Sequence, residues 1–247
     1  MRLAKLFGLG LAAMCSLLAP VTAATINVDF NGTETTGTFS GTAVAPDAGT
    51  IWNGFTPTPA SYTSAPLVNS TGGATPVTVS LETFNVYDGD ENPATLKPAL
   101  MQDFIYQTVL GPGGPPGLFA INNLTPGAAY DLYFYSQNSG YSNTATSFTI
   151  GATTQIATNV PGGGGPATFI QNTNYVLFPG VVADGSGLIL GEFNDVAAAN
   201  NAAFNGMQIT EVPEPASLAT VLVGSSVLLL GGMLRRRRSS GARQQAA

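Results

Sequence analysis

Short runs of alternating apolar and polar residues, separated by Gly, Pro, Asn, Asp and Ser, fill the chain between Thr25 and Glu211. In the clearest run, Tyr130, Leu132 and Phe134 fall on one face of an extended chain, and the residues between them fall on the other. Because side chains alternate across a strand, this period of two predicts a strand with one buried face. The predicted strands are Thr25–Phe30, Gly37–Val44, Thr50–Phe55, Pro76–Tyr87, Gly117–Ile121, Ala129–Ser136, Thr146–Ile150, Thr153–Thr158, Asn174–Phe178, Ser186–Phe193 and Ala203–Glu211.

One segment shows a different period. Apolar positions recur at helical spacing from Lys97 to Val109, and Pro98 suits a first helical turn, so we expect one short helix there. The positions are Leu100, Met101, Phe104, Ile105 and Thr108. Many short strands without alternating helices favour one β-sandwich or jelly roll. The expected fold is therefore all-β, a single domain of about 10 to 11 strands with one short helix.

The first 24 residues have the organisation of a secretory signal peptide. A positively charged start precedes an apolar stretch from Leu6 to Ala19, and small residues follow it. The stretch is shorter than the roughly 20 residues of a membrane-spanning helix, so a retained anchor is the less favoured alternative. We expect cleavage by signal peptidase after Ala23 or Ala24 and an exported domain at residues 25–211.

The C-terminal end carries three features in order. They are Val212, Pro213, Glu214 and Pro215, then an uncharged run from Ala216 to Leu234, then Arg235, Arg236, Arg237 and Arg238. The uncharged run is long enough for a transmembrane helix. The positive-inside bias places the arginines and the tail at 239–247 in the cytoplasm.

Together, these features in residues 212–238 resemble the PEP-CTERM sorting signal of bacterial proteins that are processed by an exosortase, a membrane cysteine protease-transpeptidase. The resemblance implies cleavage near the Pro-Glu-Pro sequence and release from the transmembrane tail. It also implies an inner-membrane-anchored precursor and a final location at the cell surface or in an exopolysaccharide matrix, such as that of a biofilm. An ordinary single-span anchor is the alternative.

Two segments of the exported domain, 123–133 and 203–209, resemble stretches of galactose-binding-like jelly rolls in bacterial exported proteins. The resemblance favours a jelly roll over an immunoglobulin-like sandwich. Carbohydrate binding, the activity of that superfamily, is implied only as an option, because many members are purely structural.

The distribution of charge excludes several functions. Lys97 is the only cationic residue between Ala24 and Glu211, against thirteen Asp and Glu. Such an acidic domain repels phosphate backbones, which excludes nucleic acid as a partner. The chain has no His, and its one Cys is Cys15 in the signal segment, so a catalytic triad, an imidazole ligand and a disulfide are excluded.

Asp88, Asp90 and Asn92 place oxygen atoms at alternate positions, as calcium-binding loops do. An EF-hand would need Gly and Glu where this chain has Pro93 and Ala99, so the segment is not an EF-hand. A looser calcium site is one interpretation, and an acidic turn after a strand is the other. We expect no other cofactor.

Paired carboxylates are the catalytic arrangement that this composition allows. Glycosidases use two carboxyls about 5 to 10 Å apart. The candidate pairs are Glu82 with Asp103 and Glu192 with Asp195. A polysaccharide-acting hydrolase or lyase is therefore the alternative function, although scattered acids also serve solubility, and no catalytic residue is assigned.

Trp52, Tyr133 and Tyr135 are the candidate glycan-binding residues, because a sugar ring packs on an aromatic face while Asn and Asp bond its hydroxyls. Further candidate rings are Tyr62, Tyr87 and Tyr141. Core packing is the alternative explanation of each ring. We therefore expect a non-catalytic exported protein that is structural or binds extracellular polysaccharide weakly.

Overall fold

The computed structural model describes residues 25–32, 38–46, 48–87, 99–107, 114–138, 144–159, 168–196 and 202–213. All of these up to Val212 belong to one unit of the chain. The predicted signal peptide, transmembrane run and arginine cluster lie outside the described residues. Within the described ranges, no helix has the length and apolar character that a membrane crossing needs.

Strands make up nearly all regular structure in the described part of the chain. They are β1 (Thr25–Phe30), β2 (Asn53–Phe55), β3 (Ser61–Thr63), β4 (Thr78–Glu82), β5 (Phe84–Tyr87), β6 (Phe104–Gln107), β7 (Gly117–Asn122), β8 (Ala129–Tyr135), β9 (Thr146–Ile150), β10 (Thr153–Ala157), β11 (Tyr175–Val182), β12 (Ile189–Asp195) and β13 (Gly206–Glu211). A single 3₁₀ turn spans Ala99–Met101. The all-β prediction is confirmed, with more strands than expected.

Two larger sheets enclose the main core. The five-stranded sheet has the order β11-β8-β13-β1-β2, and the six-stranded sheet has the order β10-β9-β12-β7-β4-β3. Neighbouring strands are antiparallel except β1 and β2, which are parallel. This arrangement confirms the predicted β-sandwich. Strands β5 and β6 form a separate two-stranded sheet.

Alternate side chains of the two sheets fill the main core. On β8, Tyr130, Leu132 and Phe134 are buried in it, as their alternation predicts. Phe204 lies at its centre, with five phenylalanine rings at centroid distances from 4.9 to 5.7 Å. These rings are Phe30, Phe119, Phe134, Phe148 and Phe193. All five contacts are edge-to-face, the geometry that aromatic quadrupoles favour.

A second core covers the outer face of the five-stranded sheet. Residues of the segment 38–52 and of the 3₁₀ turn pack there against β8. The buried members are Ala45, Ala48, Trp52, Leu100, Met101, Tyr133 and Tyr135. The prediction of a strand at Gly37–Val44 is wrong for its described residues, because the backbone there serves as an irregular cover and not as a sheet member.

Buried amides hold this cover on the sheet. Asn27 Nδ2 donates to the carbonyls of Ala48 (2.6 Å) and Ile51 (2.8 Å). Gln208 Nε2 donates to Asn27 Oδ1 (2.7 Å), while Gln208 Oε1 accepts from the amide of Ala45 (2.9 Å). Buried polar groups are stable when they are satisfied in this way, so these hydrogen bonds fix the cover in addition to the apolar contacts of the second core.

The predicted helix at Lys97–Val109 is wrong for its described residues. After the 3₁₀ turn the chain extends into β6, which pairs with β5. The amide of Ile105 donates to the carbonyl of Phe204 (3.0 Å), and the amide of Phe204 donates back (2.9 Å). Tertiary pairing therefore outweighs the helical spacing of the apolar residues.

Candidate functional site

The structure buries the three aromatic residues that the sequence nominates for sugar stacking. Trp52 is 8% exposed, Tyr133 6% and Tyr135 0%. Trp52 Nε1 donates to the carbonyl of Gly41 (2.9 Å), and the Tyr135 hydroxyl donates to Gln208 Oε1. The rings belong to the second core, so the expectation of an exposed platform at these residues is not met. Tyr133 and Tyr135 alternate on one face of β8, and the segment that covers this face includes Trp52.

A different aromatic surface lies on the two-stranded sheet. We call it the hairpin aromatic face; it consists of Asn85, Tyr87, Phe104 and Tyr106. Asn85 stands directly opposite Tyr106, and Tyr87 directly opposite Phe104, so all four side chains share one side of the ribbon. Asn85, Tyr87 and Tyr106 are half-buried, whereas Phe104 is buried beneath them.

The rings of this face are arranged as a step. Tyr87 stacks on Phe104 with centroids 4.8 Å apart and an interplanar angle of 22°. Tyr106 meets Phe104 edge-on, at 6.3 Å and 67°. A half-exposed tyrosine backed by a buried ring offers a rigid apolar surface with a hydroxyl at its rim, and Asn85 adds an amide. This combination suits a flat, hydroxylated ligand.

The main core holds the ribbon from its other side. Phe84 and Ile105 are buried in that core, and Val86 packs against it. Asn205 Nδ2 donates to the Asp103 carbonyl (2.7 Å), just before β6 begins. The aromatic step therefore rests on a fixed backbone.

Tyr87 is one of the further candidate rings predicted from the sequence, whereas Tyr106 is not. The alternation of Phe104, Ile105, Tyr106 and Gln107 was the available signal, since two aromatic residues with an apolar residue between them favour a strand. The prediction of a helix over this segment gave no weight to that strand signal.

The predicted carboxylate pairs do not meet on one surface. Glu82 is exposed on the outer face of β4, whereas Asp103 is 4% exposed. Glu192 and Asp195 are three positions apart on β12, so their side chains project to opposite sides of the sheet. Neither pair forms a catalytic floor.

Two other pairs of acids share a region of the structure. Glu82 and Glu192 both lie beside Leu118, one on each neighbouring strand, on the outer face of the six-stranded sheet. Asp29, which is 3% exposed, lies near Asp103 inside the protein. Burial raises the pKa of Asp29 to about 7, the amide of Phe39 opposes this rise with a hydrogen bond of 2.7 Å, and the charge of Asp103 adds to it.

The outer face of the six-stranded sheet is open. Leu118 is 39% exposed and Leu190 62%. A shallow hollow of about 290 Å³ lies over β7, β9 and β12. It is lined by Leu118, Thr149, Gly151, Leu190, Gly191 and Glu192.

The candidate calcium ligands Asp88, Asp90 and Asn92 lie outside the described residues. Among the residues that the structure does describe, no group of three or more His, Cys, Asp or Glu is placed to hold a metal. Of the predicted sorting motif, Val212 and Pro213 are described. The Val212 amide donates to the carbonyl of Ala129 (2.8 Å), and Pro213 is exposed.

Comparison with family models and with curated proteins finds no match. Among solved structures, the chain is similar to a family 35 carbohydrate binding module from Clostridium thermocellum, with a TM-score of 0.33 and 10% identity over 53% of this chain and 90% of that one. It is also similar to the enzymatically active domain of tailspike protein 4 of bacteriophage CBA120, with a TM-score of 0.26 and 17% identity over 54% of this chain and 18% of that one. At such low TM-scores neither likeness assigns a function to this chain.

Proposed function

We propose that this is an exported, non-catalytic protein of the cell surface or extracellular matrix whose sandwich binds neutral polysaccharide weakly. The observation that supports glycan binding is the hairpin aromatic face, where Tyr87 and Tyr106 flank a buried ring beside Asn85. A sugar lying on this step would pack its C–H face on a tyrosine and exchange hydrogen bonds with the amide.

Weak affinity follows from the size of the face. One stacked ring and a few hydrogen bonds that compete with water give a net free energy of a few kcal/mol, which corresponds to a Kd of about 1 mM. Retention in a matrix would then depend on many copies of the protein or on long polysaccharide chains.

The sorting route is part of the same proposal. Signal peptidase cleaves after Ala23 or Ala24, the span at 216–234 holds the precursor in the inner membrane, and an exosortase cleaves near the Pro-Glu-Pro sequence. The end of the sheet supports this: β13 ends at Glu211, the Val212 amide makes one more hydrogen bond to Ala129, and Pro213 is exposed within the motif. Both prolines favour an extended backbone, which suits a protease cleft.

We also infer that the sandwich is a jelly roll. The two segments that resemble jelly-roll proteins occupy linked positions in the fold. Residues 123–133 include the start of β8, and residues 203–209 include Phe204 and the start of β13, the strand that pairs with β8.

Co-sedimentation of the full chain, kept in detergent, with insoluble neutral polysaccharide tests the glycan proposal. Tyr87→Ala and Tyr106→Ala should each weaken binding by about tenfold, since stacking on one ring contributes on the order of 1 kcal/mol or more. Tyr62→Ala is the matched control, because Tyr62 also stacks on a phenylalanine, Phe55, at 5.1 Å and 22°. Unchanged binding by both folded variants, or an equal loss with Tyr62→Ala, would refute the proposed face.

Intact-mass measurement of the protein recovered from the cell surface tests the sorting route. The expected mass lacks both the signal peptide and everything after the Pro-Glu-Pro region. A major surface form that still carries Arg235 to Arg238 would refute cleavage by an exosortase and leave glycan binding unaffected.

A further inference from the structure

The outer face of the six-stranded sheet is a flat surface of hydroxyl, amide and aliphatic groups. One row crosses the sheet from β3 to β10, and its members occupy directly opposed positions on successive strands. The row consists of Ser61, Glu82, Leu118, Glu192, Thr149 and Thr154. No described segment covers Leu118 or the neighbouring Leu190, which are 39% and 62% exposed.

Hydrogen bonds between side chains order this surface. Thr149 and Thr154 share a hydrogen bond of 3.0 Å, and Thr63 and Ser80 share another of 3.0 Å. Asn122 Nδ2 donates to Ser80 Oγ (3.1 Å). Each hydroxyl can make at least one more hydrogen bond, to water or to a ligand. The face therefore offers rows of hydrogen-bonding groups across its strands.

Two carboxylates stand in the row on either side of an aliphatic side chain. Glu82 and Glu192 are separated by two strand spacings, roughly 10 Å, with Leu118 between them. The described residues contain no Lys, Arg or His to neutralise them. The described acids are Asp29, Glu82, Asp103, Asp131, Asp184, Glu192, Asp195 and Glu211. The described part of this face is therefore negatively charged, which is complementary to a cationic ligand.

We propose that this face binds a cationic amino-sugar polysaccharide, with protonated amines on Glu82 and Glu192 and the sugar C–H face on Leu118. The separation of the two strands that carry the glutamates is close to the length of one β-linked disaccharide, so alternate sugar units of one chain can reach both side chains. The side-chain hydroxyls on β3, β4 and β9, including those of Thr63, Ser80 and Thr149, then exchange hydrogen bonds with the sugar hydroxyls.

A second copy of this chain does not fit the face, because it would bring more negative charge. A basic protein is less suitable than a polysaccharide, since protein partners anchor aromatic or Arg side chains in well-packed pockets and this face has only a shallow hollow. The inference does not depend on the hairpin aromatic face, because it concerns a different sheet and a cationic ligand in place of a neutral one.

Co-sedimentation of the full chain with chitosan and with chitin at about pH 6 tests the inference, since these polymers share one backbone and differ in the charge of the amine. We expect binding to chitosan to be about tenfold tighter and to weaken as salt is added. The double variant Glu82→Gln/Glu192→Gln should lose most of that preference.

The control is Asp131→Asn/Glu211→Gln, which also removes two negative charges but does so on the five-stranded sheet. It should keep the preference. Equal binding to chitosan and chitin would overturn the inference. An equal loss of the preference in the control variant would also overturn it, because the preference would then depend on the net charge of the protein and not on this face. Capture by polylysine without capture by chitosan would identify a basic protein as the partner instead. The variants of Tyr87 and Tyr106 should leave the preference intact, so the two binding proposals fail separately.

Discussion

Phe119 packs its ring against Gly191 on the neighbouring strand, in the place where a Cβ of residue 191 would lie. The same relationship recurs in the opposite direction two residues along β12, where the ring of Phe193 lies against Gly117. Each ring covers a glycine on the partner strand and keeps the inner face of the six-stranded sheet continuous. The two glycines are therefore part of the packing of the main core.

Replacement of Gly191 by Ala should destabilise the protein by about 1 to 3 kcal/mol, because the new methyl group overlaps the fully packed ring of Phe119. Chemical denaturation followed by circular dichroism measures the change. Gly185→Ala is the control, since a Cβ there has no heavy atom within 4 Å. Equal stability of the two variants would show that the ring moves aside freely.

The buried carboxyl of Asp29 should make stability fall as pH rises. Its pKa is about 7 in the folded protein and 3.8 ordinarily, so the folded state binds a proton more tightly. The resulting stabilisation is fully present below about pH 4 and is lost as pH rises through 7, a change on the order of 4 kcal/mol. Melting temperatures measured across that range test this expectation.

Asp29→Asn should flatten this pH dependence, because Asn keeps an oxygen acceptor for the Phe39 amide and cannot ionise. Glu211→Asn is a suitable control, since Glu211 is an exposed acid. A steep dependence that persists in Asp29→Asn would assign it to another group.

Loss of the Gln208 amide should release the cover of the second core. Gln208→Ala leaves the Ala45 amide and Asn27 Oδ1 without their partner, and each buried group left unsatisfied costs about 1 to 3 kcal/mol. Because Trp52 is the only tryptophan and lies in this core, its fluorescence should shift to the red. Thr63→Ala, which removes an exposed hydrogen bond, should leave the emission unchanged.

Calcium should raise the melting temperature if Asp88, Asp90 and Asn92 bind it. Ligand binding at a hundredfold excess over Kd stabilises the folded state by about 2.7 kcal/mol. Chelation should reverse the shift, and Asp90→Ala should abolish it, whereas Asp184→Asn should not. If neither calcium nor a chelator changes the melting temperature, the segment that contains Asp88, Asp90 and Asn92 is an ordinary acidic turn.

Strand β8 shows what alternation can predict. The sequence places Tyr130, Leu132 and Phe134 on one face of a strand, and the structure buries that face in the main core. It does not reveal what covers Tyr133 and Tyr135 on the other face. The cover is an irregular segment without periodicity, and one of its contacts, from the Val44 amide to the Tyr135 hydroxyl, joins residues 91 positions apart.

The candidate site was harder to predict for a related reason. The apolar residues around Phe104 fit the spacing of a helix and the alternation of a short strand, and short apolar runs are ambiguous in this way. Pairing of Ile105 with Phe204, far along the chain, selects the strand. Local sequence therefore predicted the class of fold, whereas long-range pairing created the aromatic step.

The pairing of β1 with β13 has a consequence for the order in which the protein is made and folds. Thr25 and Thr210, 185 positions apart, share a hydrogen bond between their hydroxyls. The first strand therefore has no β13 to pair with until nearly the whole domain has been synthesised. Such high contact order favours slow folding. If residues 1–24 direct the chain through a secretion channel, as we propose, this late pairing would keep the domain unfolded during transport.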